Sequence, residues 1–311
     1  MNELVFPNIN IEGLARWTGD VSPLECIRIK DETHNVKSFT FKSKKDAWFQ
    51  FLPGQHTTLF LKIDGNDVMR TYTIASTPTR PNTITITNKR MAEGVVTNWM
   101  HDNLKVGDCV DALDIGGSFS VALDKPKPKI LFLSGGSGIT PMLSMIRYFY
   151  DLSIDVDIAF VHNAQSEKDL ISKDELEFYE SNQSDLKSHY VCDVPSEGWQ
   201  GPTGFLSHEM LLKLVPDFVQ REIYCCGPEL YMQNVKKILE SAAFDMNFYH
   251  QESFDIESST AQKNMAINAE LPEHKVTKSE INEYNVTLKK SGEVLPCGSN
   301  TSILVSIQKQ G

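Results

Sequence analysis

The stretch Arg70-Thr71-Tyr72-Thr73-Ile74-Ala75-Ser76 sets a guanidinium and a phenol ring two positions apart. In a strand, alternate residues share a face, so Arg70 and Tyr72 would meet one ligand together. A guanidinium fork suits a pyrophosphate, and a tyrosine ring lies well on a flat heterocycle. The same residues also fit an ordinary ion pair and a core tyrosine. Downstream, Gly94-Val95-Val96-Thr97 opens a short helical pattern. The free N–H groups and positive dipole of a helix start hold phosphate, although taken alone a plain glycine turn with a threonine near the cap is the better reading.

The next stretch is Leu133-Ser134-Gly135-Gly136-Ser137-Gly138-Ile139-Thr140-Pro141. It follows an apolar strand and leads into an amphipathic helix with a proline at its start. Glycines at that place let backbone amides approach a pyrophosphate. The pattern lacks the third glycine of G-x-G-x-x-G and the Gly-Lys-Ser/Thr of a P-loop, yet a bare strand–helix turn would not need Gly135, Gly136 and Gly138 together. Cys225-Cys226-Gly227-Pro228 ends another strand, where a thiol could pack against a flat ring or simply fill the core. His250-Gln251-Glu252-Ser253-Phe254 ends the last strand, with Glu252 at the same edge of the sheet.

These stretches need a scaffold of two kinds. From Leu24 to Leu123 the pattern is β: Leu24–Lys30, Lys37–Lys42, Thr57–Ile63, Val68–Thr73 and Thr83–Lys89, with a hairpin signal at Asp64-Gly65 and one helix over Val95–Asn103. Such frequent strands predict a small closed barrel. Lys125-Pro126-Lys127-Pro128 reads as a stiff linker. Beyond it strands and helices alternate: 129–134 (β), 141–152 (α), 156–162 (β), 173–180 (α), 188–192 (β), 207–214 (α), 222–226 (β), 229–242 (α) and 248–252 (β). That alternation predicts a doubly wound parallel sheet. Residues 256–283 are polar and predict a mobile linker; Tyr284–Lys290 and Glu293–Pro296 then suit a hairpin, with a short helix over Ser302–Lys309.

A formal net charge of -11 argues against a nucleic-acid partner, because phosphate backbones call for a basic face. The apolar runs are strand-length, far short of the ~18 residues of a membrane span, and the N-terminus carries no secretory pattern. Six cysteines without regular spacing suit a reduced, cytoplasmic protein, and the His and Cys spacings give no metal-binding pattern.

In their order and spacing, these motifs resemble the ferredoxin–NADP reductase superfamily over roughly residues 24–254. Within it they are closest to the reductase components of multicomponent oxygenases and to the NADH reductase that serves hybrid-cluster protein. The resemblance implies an FAD-binding antiparallel β-barrel (24–126), after an N-terminal extension (1–23). A doubly wound nicotinamide-binding domain (127–255), a linker (256–283) and a partial β-grasp ferredoxin-like segment (284–311) would follow. It implies that Arg70 binds FAD pyrophosphate, Tyr72 stacks on the flavin, Thr73 hydrogen-bonds near its N5, and Ser76 and Gly94 to Thr97 (with Val95 and Val96) complete the site. Gly135, Gly136, Gly138, Thr140, Pro141, Gly227 and Pro228 would hold the dinucleotide. Cys226, Glu252 and Phe254 would meet at the reacting rings, with Cys226, Glu252 and Thr73 catalytic. The implied reaction is hydride transfer from NADH, NADPH being possible, to FAD, then single-electron delivery to an oxygenase component or hybrid-cluster protein.

The segment His162-Asn163-Ala164-Gln165-Ser166-Glu167-Lys168-Asp169 is expected to be the loop beside the adenosine ribose. It has no Arg for a 2′-phosphate, and Lys168 is flanked by acids, which favours NADH. A plant-type two-iron cluster needs four thiolates, and after Cys226 only Cys297 remains, so the chain as given is expected to lack that cluster and to be truncated. Two other readings stay open: a stand-alone NAD(P)H:flavin or flavodoxin reductase, and a non-catalytic FAD-binding electron-transfer subunit.

Overall fold

The computed structural model describes residues 16–17, 22–45, 47–123, 126–182 and 185–254, and the backbone of two strands at 283–287 and 294–298. Residues 1–263 form one compact unit and 264–311 another.

The first sheet is antiparallel. Its strands are β1 (Ser22–Thr33), β2 (Val36–Ser43), β3 (His56–Ile63), β4 (Asn66–Thr73), β5 (Ile84–Lys89) and β6 (Cys109–Gly116), in the order β4-β3-β6-β1-β2-β5. A bridge between Ile74 and Ile86, with Ala75 N–H donating to Thr85 O at 2.8 Å, joins the two edges and closes the barrel. Closure leaves no exposed sheet edge. Alternating side chains fill the interior: Leu59, Leu61 and Ile63 of β3 meet Phe39 and Phe41 of β2 and Ile84 and Ile86 of β5. The β3–β4 turn has Asp64 and Gly65 both at positive φ (50° and 80°), as a tight hairpin with two left-handed positions requires. Helix α1 (Val95–Asn103) sends Val96 and Met100 into the same core.

Two features differ from expectation. Strand β6, which the sequence pattern did not mark, lies between β3 and β1; its inward residues, Val110 and Ala112, are too small a pattern to stand out. The N-terminal extension is not all separate from the barrel. Trp17 is buried against Phe49 (ring centroids 5.5 Å apart), and its backbone N–H donates to Trp48 O at 2.8 Å.

The second sheet is parallel. It comprises β7 (Lys129–Gly135), β8 (Asp157–Ala164), β9 (Leu186–Cys192), β10 (Glu222–Cys226) and β11 (Tyr249–Glu252), in the order β11-β10-β7-β8-β9. Helices α2 (Ile139–Asp151), α3 (Lys173–Asn182), α4 (His208–Leu214) and α5 (Glu229–Ser241) connect them. Both faces are covered, so the strands are apolar throughout. Ile130, Phe132, Tyr224 and Cys226 pack with α2 and α3, while Leu131, Leu133, Ile223 and Cys225 pack with α4 and α5. The first of these cores also takes in Val36, Phe119 and Val121 from the barrel segment. From β7 the chain winds out to β9, then returns to the other side at β10, so the crevice of a topological switch point lies between β7 and β10.

β8 runs through Ala164, because His162, Asn163 and Ala164 pair with β9, and His162 and Asn163 with β7 as well. The expected ribose loop therefore begins later than its sequence suggested. In the second unit, β12 (Glu283–Thr287) and β13 (Val294–Gly298) pair as an antiparallel hairpin, as expected. Of the expected linker (256–283), Glu283 opens β12 instead, and the rest, like the expected terminal helix (302–309), lies outside the described residues.

Candidate active site

The end of β4 carries Arg70, Tyr72 and Thr73, which pair across β3 with Leu59, Thr57 and His56. Arg70 Nη1 donates to Met69 O at 3.1 Å. The Tyr72 ring packs against the barrel core, and its Oη is buried with no hydrogen-bond partner. Burial pushes that phenol far above its ordinary pKa, so it stays protonated. Ser76 is engaged in barrel closure: its Oγ accepts from Thr85 N–H at 3.0 Å and its carbonyl from Ser144 Oγ at 2.6 Å.

Helix α1 begins at Gly94 with no side-chain cap, so its first N–H groups keep their donor capacity. A Cβ at Gly94 would fall 2.3 Å from Thr97 Oγ1 and 2.9 Å from Met91 Cβ, so any larger residue would force this turn to shift. Val96 is core, so only its backbone is available to a ligand, whereas Val95 is exposed. Asn98, which the sequence reading passed over, has a buried Oδ1 without a partner.

The turn after β7 combines Gly135 in extended geometry, Gly136 at φ +53° and a short 3-10 turn over Gly136–Gly138 leading into α2. A Cβ on Gly138 would lie 2.3 Å from Cys226 O and 2.6 Å from Gly227 N, so the two glycine turns touch backbone to backbone. Thr140 is buried and donates to Ser137 O at 3.2 Å, and Pro141 is buried in the first turn of α2; both brace the turn from within. Tyr231 was not foreseen. Its ring fills the space that side chains at Gly135 and Gly227 would need, and its Oη donates to Asn163 Oδ1 at 3.1 Å.

Across the sheet's carboxyl edge, Glu252, Cys226, Ser134 and His162 stand in one row on four adjacent strands. Cys226 is 0 % exposed, and burial, then the neighbouring Glu252 carboxylate, raises its thiol well above the ordinary value. Of the two sequence readings, a thiol against a flat ring or one filling the core, the structure gives Cys226 a core position as a neutral thiol. Glu252 Oε1 lies 3.8 Å from Nδ1 of His56. Phe254 is partly exposed just beyond. Ser134 Oγ and His162 Nδ1 share a buried 2.7 Å hydrogen bond.

A cavity of about 620 Å³ opens on this edge, lined by Gly135, Gly136 and Pro228 of the two turns and by Asn163, Gln165 and Asp193. Asn35 and Lys89 bound it from the barrel side. His162 and Lys168, expected at a ribose, do not line it.

Residues 23–128 match the family described as an oxidoreductase FAD-binding domain, and 132–237 match an oxidoreductase NAD-binding domain. The chain is 36% identical over 300 residues to the stachydrine N-demethylase reductase subunit of Rhizobium meliloti, covering 96% of this chain and 82% of that one. The chain belongs to this family of FAD- and NAD-binding oxidoreductases. It is also 45% identical over 241 residues to the glycine betaine monooxygenase reductase subunit of Chromohalobacter salexigens, over 76% of this chain; it spans 65% of that relative's length. Phthalate dioxygenase reductase shares the fold, at a TM-score of 0.60 and 22% identity over 93% of this chain and 80% of that one.

The residues of this oxidoreductase fit both cofactors. The orphaned Tyr72 Oη and Asn98 Oδ1 and the uncapped start of α1 suit the hydroxyls and phosphates of FAD. Gly136, with no atom within 4 Å of a Cβ placed there, opens the turn to a dinucleotide. Among the described residues no helix is long and apolar enough to cross a membrane.

Proposed function

We propose that this chain is the reductase component of a multicomponent oxygenase, taking hydride from NADH onto FAD and delivering electrons singly to an iron–sulfur or other metalloprotein partner. The observation that carries the reading is a chain of neighbours: Thr73 pairs with His56, His56 meets Glu252, and Glu252 pairs with Cys226. The barrel strand named for the flavin and the two sheet residues named for the nicotinamide thus converge, through a histidine that no motif pointed to.

FAD, when bound, supplies the ability to accept a hydride and to release electrons one at a time. The protein binds and orients. Arg70 and the α1 start take pyrophosphate, Tyr72 lies along the heterocycle, and the two glycine turns take the dinucleotide. Cys226, as a neutral buried thiol, contributes shape. Asn163 and Gln165 suit a ribose diol, while Asp193, lining the same cavity, opposes a 2′-phosphate. Relatives that are reductase subunits of a monooxygenase and a demethylase favour an oxygenase-type partner over hybrid-cluster protein. A reducing cytoplasm suits the free cysteines among the described residues.

Anaerobic NADH should bleach the bound flavin, and an iron–sulfur oxygenase component should then be reduced. Flavin that NADH leaves oxidised would indicate a non-catalytic subunit, and faster reduction of free flavin than of any protein would indicate a flavin reductase. NADH should exceed NADPH in kcat/KM by at least ~10-fold, given the carboxylate lining that cavity; the reverse order would overturn the assignment of the donor.

A further inference from the structure

Three polar residues of α2 form a stripe beyond the glycine turn. Ser144, Arg147 and Asp151 recur at helical spacing, so they share one face of a helix whose other neighbours are buried and apolar. All three reach the barrel segment that directly follows the flavin strand. Ser144 Oγ donates to Ser76 O at 2.6 Å, and Arg147 Nη1 donates to Ala75 O at 2.6 Å. Asp151 accepts from Thr79 Oγ1, and from Arg80 Nη2 at 2.7 Å.

Arg147 is the centre of this seam. Its side chain is 15% exposed, and its Nε and Nη2 hold the two oxygens of Glu175 at 2.8 and 2.6 Å. Tyr179 Oη donates to the same carboxylate at 2.7 Å. The Ala75 peptide is therefore fixed from both sides: its N–H closes the barrel on Thr85 O, and its carbonyl takes the guanidinium. Ala75 lies two residues past Thr73, and α2 begins directly after the Gly136–Gly138 turn.

We infer that α2 is a spacing bar between the two cofactors, and that Arg147 is the positioning residue that sets its reach. This rests on the hydride-transfer function proposed above. From Ile139 to Arg147 the helix advances about 12 Å at ~1.5 Å per residue, and a helix transmits such a length with little give. Moving its anchored end moves the glycine turn, and with it the nicotinamide, relative to the flavin. Hydride transfer is steep in that distance, since a misplacement of about 1 Å costs ~100-fold. An arginine suits the task because its planar fork engages Glu175 in two bonds while a third points at Ala75 O; a lysine cannot make that set.

The test uses the FAD-loaded protein with Arg147→Lys, which keeps the charge, and Ser144→Ala as a milder change at the same seam. With NADH in anaerobic stopped flow, Arg147→Lys should lower the limiting rate of flavin reduction by at least ~10-fold, and Ser144→Ala by about 3-fold. FAD occupancy and the dissociation constant for NADH should stay within about 2-fold of wild type. A second readout needs no turnover: the change that NAD⁺ binding induces in the oxidised flavin spectrum should fall by at least half in Arg147→Lys, at an unchanged NAD⁺ dissociation constant. A wild-type limiting rate and a wild-type spectral change in Arg147→Lys would overturn the inference. So would a rate loss that tracks FAD loss in both variants. If NADH fails to reduce even the wild type, the functional reading falls, and the NAD⁺ difference spectrum still decides the role of Arg147.

Discussion

Replacing Gly138 with alanine isolates what contact between the two glycine turns is worth. Gly138 sits at φ −64° and ψ −2°, where alanine is comfortable, so the backbone itself resists nothing. The new Cβ would lie 2.3 Å from Cys226 O and 2.4 Å from Cys226 C, against an ordinary contact of 3.4 Å or more. Those atoms are backbone at the end of a central strand and cannot swing aside as a side-chain tip would. The β10–α5 turn must retreat by about 1 Å, which overpacking precedents put at ~1–3 kcal/mol. The same retreat displaces both the dinucleotide turn and Cys226, so flavin reduction by NADH should slow by about 100-fold. Gly65→Ala, in the β3–β4 turn away from the site, is the matched control. Gly65 stands at φ +80° with nothing within 4 Å of a Cβ, so the change costs roughly 1–2 kcal/mol of left-handed strain but displaces nothing. Thermal melts should therefore show similar losses for the two variants, while stopped-flow reduction separates them by more than ~10-fold. Equal reduction rates would refute the claim that backbone contact between the turns sets the geometry.

Burial lowers the His162 pKa from the ordinary value of 6.5 to about 4, so the folded state resists protonation that the unfolded chain accepts. Stability should be full above pH 6.5 and fall by up to ~3 kcal/mol as the pH drops to 4; urea unfolding of His162→Gln should show a shallower fall, and an identical slope would remove His162 as the cause. Arg70→Ala should weaken FAD retention by about 10–100-fold, as expected for loss of a charge-assisted phosphate contact, and unchanged flavin occupancy after gel filtration would exclude that role. Burial pushes the Cys225 thiol up to about 12 and Cys226 well above its usual value, so of the described cysteines a thiol reagent should label exposed Cys109 first and reach Cys225 and Cys226 only on unfolding; rapid labelling of Cys226 in the native protein would contradict its buried position.

Local chemistry was legible where one stretch of chain decides the outcome. Thr83–Lys89 alternates, and β5 follows; Asp64-Gly65 tolerates two left-handed positions, and the hairpin turns there. Strand β6 was hidden because its inward residues are small and its place between β3 and β1 is set by pairing with strands distant in sequence. The orientation of Cys225 and Cys226 was equally hidden. Alternation puts adjacent residues on opposite faces, yet which face receives Phe119 and Val121 from the barrel segment is a property of how the sheets pack.

The site follows the same division. Motifs named Thr73, Cys226 and Glu252 separately, and their meeting depends on His56, whose two contacts cross a hairpin and nearly the whole described chain. No spacing along one segment encodes such a contact. A polar stripe inside an apolar helix is different, because it is visible in the sequence once the helix is placed. Ser144, Arg147 and Asp151 interrupt a run whose remaining residues are mostly buried and apolar. A mostly buried arginine must have a partner prepared for it, since an unpaired charge in a core costs several kcal/mol. The residues proposed to meet the cofactors lie in local glycine and arginine patterns. Arg147, proposed to set the distance between them, shows itself as a mostly buried charge inside an apolar helix.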